Sequence, residues 1–180
     1  MTVIAAVIHG GQVFMGADSL LSDDEGDLET TLEGKLWQHG DWLLGWAGGQ
    51  RSSQVVRYAF APPPRHEGQD VMAYLCTAFV DELRAAHANA GTLRRQHGQE
   101  HTDLGLLVGW QARLFHVSPW FCVTEYRDLA AIGSGSRPAL AALQATPDLD
   151  PHLRLQRALE AAERLSEGVR RPFAYLPKEE

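Results

Sequence analysis

The run Thr2-Val3-Ile4-Ala5-Ala6-Val7-Ile8-His9-Gly10-Gly11-Gln12-Val13-Phe14-Met15-Gly16-Ala17-Asp18-Ser19 carries most of the information about this chain's fold. Residues 3–8 form a short apolar segment with the β-branched Val3, Ile4, Val7 and Ile8, and residues 12–18 form a second segment. Gly10-Gly11 between them supplies the positive φ of a tight turn, so the pair is predicted to be a β-hairpin. Antiparallel pairing around that turn returns the end of the second strand, with Asp18, to the neighbourhood of Thr2.

Working outward, residues 19–27 are acidic and polar and are predicted to be a loop. Residues 30–37 and 42–47 are expected to form another strand pair, closed by Gly48-Gly49. A helix follows, with Val55, Val56, Tyr58 and Phe60, and Pro62-Pro63-Pro64 stops it. A longer helix opens at Asp70 as N-cap, with Val71, Met72, Leu75, Cys76, Phe79, Val80 and Leu83 at three- and four-residue spacing. Residues 90–102 are polar, with Gly91 and Gly98, and read as a mobile loop. Strands are expected at 104–108, 113–117, 121–125 and 129–132. The turn Gly133-Ser134-Gly135-Ser136 leads into a helix with Pro138 in its first turn, Asp150-Pro151 opens a last helix, and residues 173–176 close the chain as a strand. Two blocks of antiparallel strands alternating with two helix pairs imply an α+β fold, a four-layer α/β/β/α sandwich, with residues 1–180 as one domain.

Bulk properties narrow the classes. A chain of 180 residues with 44% apolar and 22% charged residues can bury one substantial core, and its formal charge of −7 leaves no room for a broad basic face, so no nucleic-acid partner is expected. Cys76 and Cys122 are far apart in apolar runs and read as buried thiols of a reducing compartment. The opening segment has no basic stretch and its apolar run ends at His9, which fits neither a signal peptide nor a membrane span, so a cytoplasmic location is expected.

Four features bear on chemistry. Thr2 follows the initiator Met; removal of Met1 would leave a hydroxyl beside a free α-amine of pKa roughly 8, a base able to activate its own side chain. Thr at position 2 is common, and taken alone the residue reads first as the start of an edge strand. Asp18, at the end of the second strand, is placed to hold a cation near Thr2, and is equally an Asp that starts a turn. The chain has 14 Arg and only two Lys, so Lys35, inside an apparent strand, stands out: a compact ammonium near Thr2 would lower the pKa of amine and hydroxyl alike. A surface lysine of a half-exposed strand fits the same pattern. Gly45-Trp46-Ala47-Gly48-Gly49 carries a strand into a helix start, where unobstructed N–H groups can build an oxyanion hole or simply turn the chain.

In order and spacing these pieces resemble the proteasome β-subunit family and its bacterial relative HslV, N-terminal-nucleophile hydrolases. The matching stretches are Thr2 with its strand, Gly16-Ala17-Asp18-Ser19, Lys35 followed by Gly45-Trp46-Ala47-Gly48-Gly49, Ala131-Ile132-Gly133-Ser134-Gly135 leading into Pro138-Ala139-Leu140-Ala141-Ala142-Leu143, and the helix from Ala158 to Arg164. The resemblance spans nearly the whole chain. It implies that Thr2 is the nucleophile, that Asp18 and Lys35 form the activating pair, that the Gly48 N–H forms the oxyanion hole, and that Ser134 helps hold the terminal amine. It implies a threonine peptidase or amidase working without cofactor or metal on a polypeptide or amide substrate, in a ring of identical subunits fed by an ATP-dependent unfoldase. One departure stands out. The family carries an Asp after the Arg that ends the last helix and a Ser shortly beyond, whereas this chain reads Arg164-Leu165-Ser166-Glu167-Gly168, with Ser166 or Glu167 as the candidate substitute. That ending resembles divergent proteasome-like proteins of bacteria and phages. A ring-forming subunit without activity and a small-molecule amidase are the competing expectations.

His97-Gly98-Gln99-Glu100-His101 matches a zinc-protease pattern that needs a helix, and Gly98 argues against one. The glycine turn at 133–136 lacks the later glycine and lysine of a phosphate-binding loop.

Overall fold

The computed structural model describes residues 2–22, 28–30 and 33–178. Strands β1 (Ile4–His9) and β2 (Gln12–Ala17) form the expected hairpin, with Ile4 opposite Ala17 and the turn at Gly10-Gly11, both at positive φ. Short strands β3 (Leu20–Ser22) and β4 (Leu28–Thr30) pair as a separate ribbon. Next come β5 (Leu36–His39), β6 (Trp42–Gly48) and helix α1 (Gln50–Tyr58). Helix α2 (Val71–Tyr74) runs through a π turn (Leu75–Phe79) into α3 (Val80–Asn89). The second half contains β7 (Arg94–Gln96), β8 (Gln99–His101), β9 (Leu104–Trp110), β10 (Arg113–Val117), β11 (Val123–Tyr126) and β12 (Leu129–Ile132). Helices α4 (Ser136–Ala145) and α5 (Pro151–Leu165) and strand β13 (Ala174–Leu176) complete it.

Two antiparallel sheets, ordered β12-β1-β2-β13 and β11-β10-β9-β6-β5, face each other across an apolar layer that includes Ile4, Met15, Ile132, Leu43, Leu107 and Leu114. Alternation along each strand sends the other side chains outward. On the first sheet Val3, Ala5 and Val7 meet Leu143, Leu155 and Leu159 of α4 and α5; on the second, Leu44, Leu106 and Val108 meet Val56, Leu75, Phe79 and Leu83 of the first helix group. This is the α/β/β/α sandwich. The sheets approach closely where strands carry glycine: a Cβ on Gly45 would stand 2.7 Å from Ile4 Cγ2, and one on Gly109 2.8 Å from Val13 Cγ1. Asp70 caps α2 by accepting from the Ala73 N–H at 2.8 Å, and Asp150 caps α5 with Pro151 in its first turn. Buried Arg154 of α5 donates through Nε and Nη2 to the Leu143 carbonyl, satisfying the end of α4.

The structure corrects several sequence expectations. The strand expected at 30–37 is two pieces: Leu28–Thr30 pairs with Leu20–Ser22, and β5 starts only at Leu36, after Gly34 at φ +65°. Residues 31–32 lie outside the described residues, as do 23–27 of the expected loop, whose first part is β3. The expected mobile loop at 90–102 holds a hairpin, β7–β8, turned by His97 and Gly98, both at positive φ. Its strands are polar on both faces, so no alternation marks them, and Arg84 of α3 and Arg95 both bond Glu100. The strand expected at 121–125 is delayed to Val123 by Phe121 at φ +61°. Both cysteines are free and exposed: Leu75 and Phe79 take the inward positions of their helix and leave Cys76 outside, and Cys122 lies in the turn before β11. No helix is long and apolar enough to cross a membrane among the described residues.

His87 of α3 is fully buried; its Nδ1 meets Thr92 Oγ1 at 2.8 Å and its Nε2 has no partner among the described residues. Burial holds its pKa below the ordinary 6.5, with the Asp103 carboxylate acting in the opposite direction. The unfolded chain therefore takes up the proton first, and stability falls as the pH drops from 6.5 toward the lowered folded value. His87→Leu is expected to flatten the fall in Tm between pH 6.5 and about pH 5, measured by thermal unfolding across a pH series.

Candidate active site

Thr2 sits immediately before β1, the strand held between β2 and β12 in its sheet, and is 4% exposed. Register does the positioning. Ile4 pairs with Ala17 on one side and with Ile132 on the other, so the residues just past those partners, Asp18 and Gly133-Ser134, flank Thr2 and Val3. The Asp18 N–H donates to the Val3 carbonyl at 3.3 Å, and Asp18 Oδ1 accepts from the Val3 N–H at 2.9 Å. Its Oδ2 accepts from the Leu20 N–H at 3.1 Å.

Lys35 completes this cluster from the other sheet. It lies just before β5, where its carbonyl accepts from the Trp46 N–H at 3.1 Å, and its Nζ donates to Asp18 Oδ1 at 2.8 Å. Both side chains are fully buried. Burial pulls the Lys35 ammonium below its ordinary 10.5, and the Asp18 charge and hydrogen bond pull it back up.

On the opposite flank the Thr2 N–H donates to Ser134 Oγ at 3.1 Å, and the Gly135 N–H donates to the Thr2 carbonyl at 3.1 Å. Gly133 has φ +93°, and a Cβ there would stand 2.3 Å from the Thr2 carbonyl oxygen; only glycine lets this turn close on Thr2.

The third wall is the strand-to-helix corner. Gly48 has φ +141°, and a Cβ on it would stand 1.9 Å from the Asp103 carbonyl oxygen. Gly49, the N-cap of α1, has no side chain to cap with, and its N–H donates to the same carbonyl at 3.2 Å. Because β6 and β9 pair Gly48 with Leu104, Asp103 falls opposite Gly49. Its carboxylate accepts from Ser52 Oγ in the first turn of α1 at 2.5 Å and lies 3.6 Å from Arg94 Nη2. Asp103 thereby supplies from outside the anion that an N-cap side chain would give.

These walls enclose a cleft of about 1070 Å³. Thr2, Gly48 and Ser134 line it, together with Arg51, Arg94, Asp103 and His116. Burial lowers the His116 pKa. Of the expected site residues, then, Thr2, Asp18, Lys35 and Ser134 are joined directly or through Val3, and Gly48 faces the same cleft. Ser166 is not among the cleft-lining residues: it caps α5, and its carbonyl accepts from the Val169 N–H at 3.3 Å. Leu165 is 77% exposed, and Glu167 is exposed as well. What the segment after α5 does place near Thr2 is apolar, because buried Val169 packs so close that a Cβ on Gly135 would stand 2.8 Å from its Cγ2 and 3.0 Å from Val3 Cβ. Arg51, Arg94, Asp103 and His116 are absent from the sequence reading; the pairing of β6 with β9, which sets Asp103 against Gly49, is the signal that would have found Asp103.

No family model matches the sequence, and no curated protein matches it either. Solved structures do match. BPH from Thiobacillus denitrificans, in complex with Epoxomicin, superposes with a TM-score of 0.81 at 21% identity, covering 97% of this chain and 96% of that one. Eukaryotic HslV from Trypanosoma brucei gives 0.69 at 16% identity, over 96% and 97%. Anbu from Yersinia bercovieri gives 0.68 at 16%, over 96% of this chain and 80% of that chain. The chain has the fold of these proteasome-type proteins, the N-terminal-nucleophile hydrolase sandwich.

The Asp18–Lys35 pair has a consequence for stability that can be measured independently of chemistry. Lys35→Met leaves a carboxylate buried without its cation, and is expected to cost about 3–5 kcal/mol in urea unfolding. Adding Asp18→Asn to that variant is expected to recover part of the loss, because the amide carries no charge to strand.

Proposed function

We propose that this chain, with the fold of a proteasome-type N-terminal-nucleophile hydrolase, is a threonine peptidase or amidohydrolase acting through an acyl-enzyme. The observation that carries the reading is the fully buried Lys35–Asp18 pair bonded to the Val3 N–H, one residue from Thr2, with Ser134 at the Thr2 nitrogen. A buried ion pair is costly to assemble, and this one sits where a hydroxyl would need a fixed positive charge.

In this reading Met1 is removed and the Thr2 amine takes the proton of the Thr2 hydroxyl. Thr2 Oγ attacks the amide carbonyl, and the new oxyanion is met by the Gly48 N–H. Collapse returns the proton to the leaving amine, which departs and leaves an ester on Thr2. Water, activated by the freed amine, hydrolyses the ester and regenerates the hydroxyl. Lys35 keeps the hydroxyl acidic and Asp18 keeps Lys35 charged and in place; Ser134 orients the amine. None of these steps calls for a metal or cofactor.

The cleft's volume of about 1070 Å³ supports a substrate larger than a single amino acid. Anbu from Pseudomonas aeruginosa forms a helical assembly, and assembly of identical subunits is proposed here as well, with an ATP-dependent unfoldase delivering substrate in the cytoplasm. A second reading, an assembly subunit without activity, draws on Val169 and exposed Leu165, since α5 ends without bringing a carboxylate to the cleft among the described residues.

Intact mass before and after a peptide epoxyketone separates the two. Loss of Met1 and a single adduct, absent in Thr2→Ala, is the expected result, with amide hydrolysis falling roughly a thousandfold or more in that variant. Met1 retained and no adduct would sink the enzyme reading in favour of the assembly subunit. The rate of adduct formation is expected to rise with pH as the amine, held below its ordinary pKa of roughly 8 by the Lys35 charge, loses its proton, and to fall again at higher pH as Lys35, itself lowered by burial, loses its own.

A further inference from the structure

The cleft is electrostatically at odds with its protein. The chain carries a formal charge of −7, yet the charged side chains lining the cleft are Arg51, Arg94 and Asp103, with the His116 imidazole beside them. Asp103 is already engaged by Ser52 and by Arg94. Arg94 keeps most of its side chain in solvent, 65% exposed, and its 3.6 Å approach to Asp103 is a loose contact that leaves further donors of the guanidinium unused.

Arg51 is the sharper observation. It stands in the first turn of α1, exposed, and makes no hydrogen bond or ion pair among the described residues. A cation in that position works against the helix, whose positive end it shares; α1 has no acidic residue of its own in its first turn, and the one carboxylate brought there, Asp103, is bonded to Ser52 and faces Arg94 rather than Arg51. Helix stability therefore gives no account of Arg51. A negatively charged group bound in the cleft does: it would meet two guanidiniums, one of them without a partner among the described residues, at the same rim as Gly48 and Thr2.

We propose that Arg51 and Arg94 form an anion-recognising wall that selects peptide segments carrying a Glu or Asp side chain close to the bond Thr2 would attack. The assignment rests on the hydrolase reading for its meaning, while the binding itself does not require a working nucleophile. Asp103 serves the wall indirectly, bracing through Ser52 and the Gly49 N–H the corner that carries Arg51.

The test is affinity in the full-length Thr2→Ala chain, where no turnover intervenes. The probes are amidated, fluorescein-labelled alanine hexapeptides with Glu or Gln at one scanned position, followed by fluorescence anisotropy. At one or two adjacent positions Glu is expected to bind roughly tenfold tighter than Gln, the size of one charge-assisted contact. Arg51→Ala and Arg94→Ala should each reduce that ratio and the double variant abolish it; raising salt from about 0.05 M to about 0.5 M should shrink it in the parent. Both arginines are exposed, so circular dichroism is expected to be unchanged. Equal affinity for Glu and Gln peptides, no binding of either, or a preference that survives in the double variant overturns the proposal. Failure of the epoxyketone adduct on the unsubstituted chain, with the Glu preference intact, would instead overturn the hydrolase reading and leave the anion site standing.

Discussion

The hydrogen-bonded ion pair between Lys35 and Asp18 is the contact on which the organisation of this molecule turns. Asp18 follows a strand of one sheet and Lys35 precedes a strand of the other, so the pair ties the two sheets together beside the start of β1. Two charges fully removed from water are tolerated only when every lone pair and proton finds a partner. The geometry meets that demand on the acid side, where Asp18 accepts from Val3, Leu20 and Lys35. Each of those bonds also places something: Val3 fixes the backbone beside Thr2, Leu20 sets the exit of β2, and Lys35 sets the entrance of β5. An apolar pair could hold the sheets together as well, but it would leave no positive charge beside the backbone that carries Thr2.

Around this pair the cleft is closed by two glycine corners that work alike. Gly133 turns against the Thr2 carbonyl and Gly48 against the Asp103 carbonyl, each at a positive φ and each with no room for a side chain. Backbone thus meets backbone on both sides of Thr2, which is a stiffer arrangement than side chains on loops would give. Asp103 adds its carboxylate to Ser52 of α1, so the corner that offers the Gly48 N–H is braced from the neighbouring strand and from the helix at once.

What was legible in the sequence follows from how local each signal is. The β1–β2 hairpin needs only the double glycine between two apolar runs, and it carries Asp18 back to Thr2 by register alone. Lys35 is visible by composition, as the sole internal lysine of an arginine-rich chain, and Ser134 and Gly48 by their glycine settings. The wall made of Arg51, Arg94, Asp103 and His116 depends on which strand pairs with which, information that no single segment holds. The β7–β8 hairpin escaped because its strands are polar on both faces, and a strand without alternation looks like a loop. Cys76 was misplaced for the opposite reason: it sits inside an apolar run, but Leu75 and Phe79 occupy the inward side of the helix and leave it facing water.

The end of α5 bears most directly on whether the site works. Where a proteasome-type sequence would carry a carboxylate, this chain has exposed Leu165, and what reaches the back of the Ser134 turn is the aliphatic Val169, pressed against Gly135 and Val3. A carboxylate beside the Thr2 amine would favour its protonated form, whereas apolar burial favours the neutral one. On the proposed mechanism the neutral amine is the base. The ammonium of Lys35, bonded to the Asp18 that accepts from the Val3 N–H, favours the neutral amine as well. The missing carboxylate therefore costs an orienting contact while leaving the amine in the neutral form that the first step needs, and Ser134 is left as the group that must fix the direction of the amine.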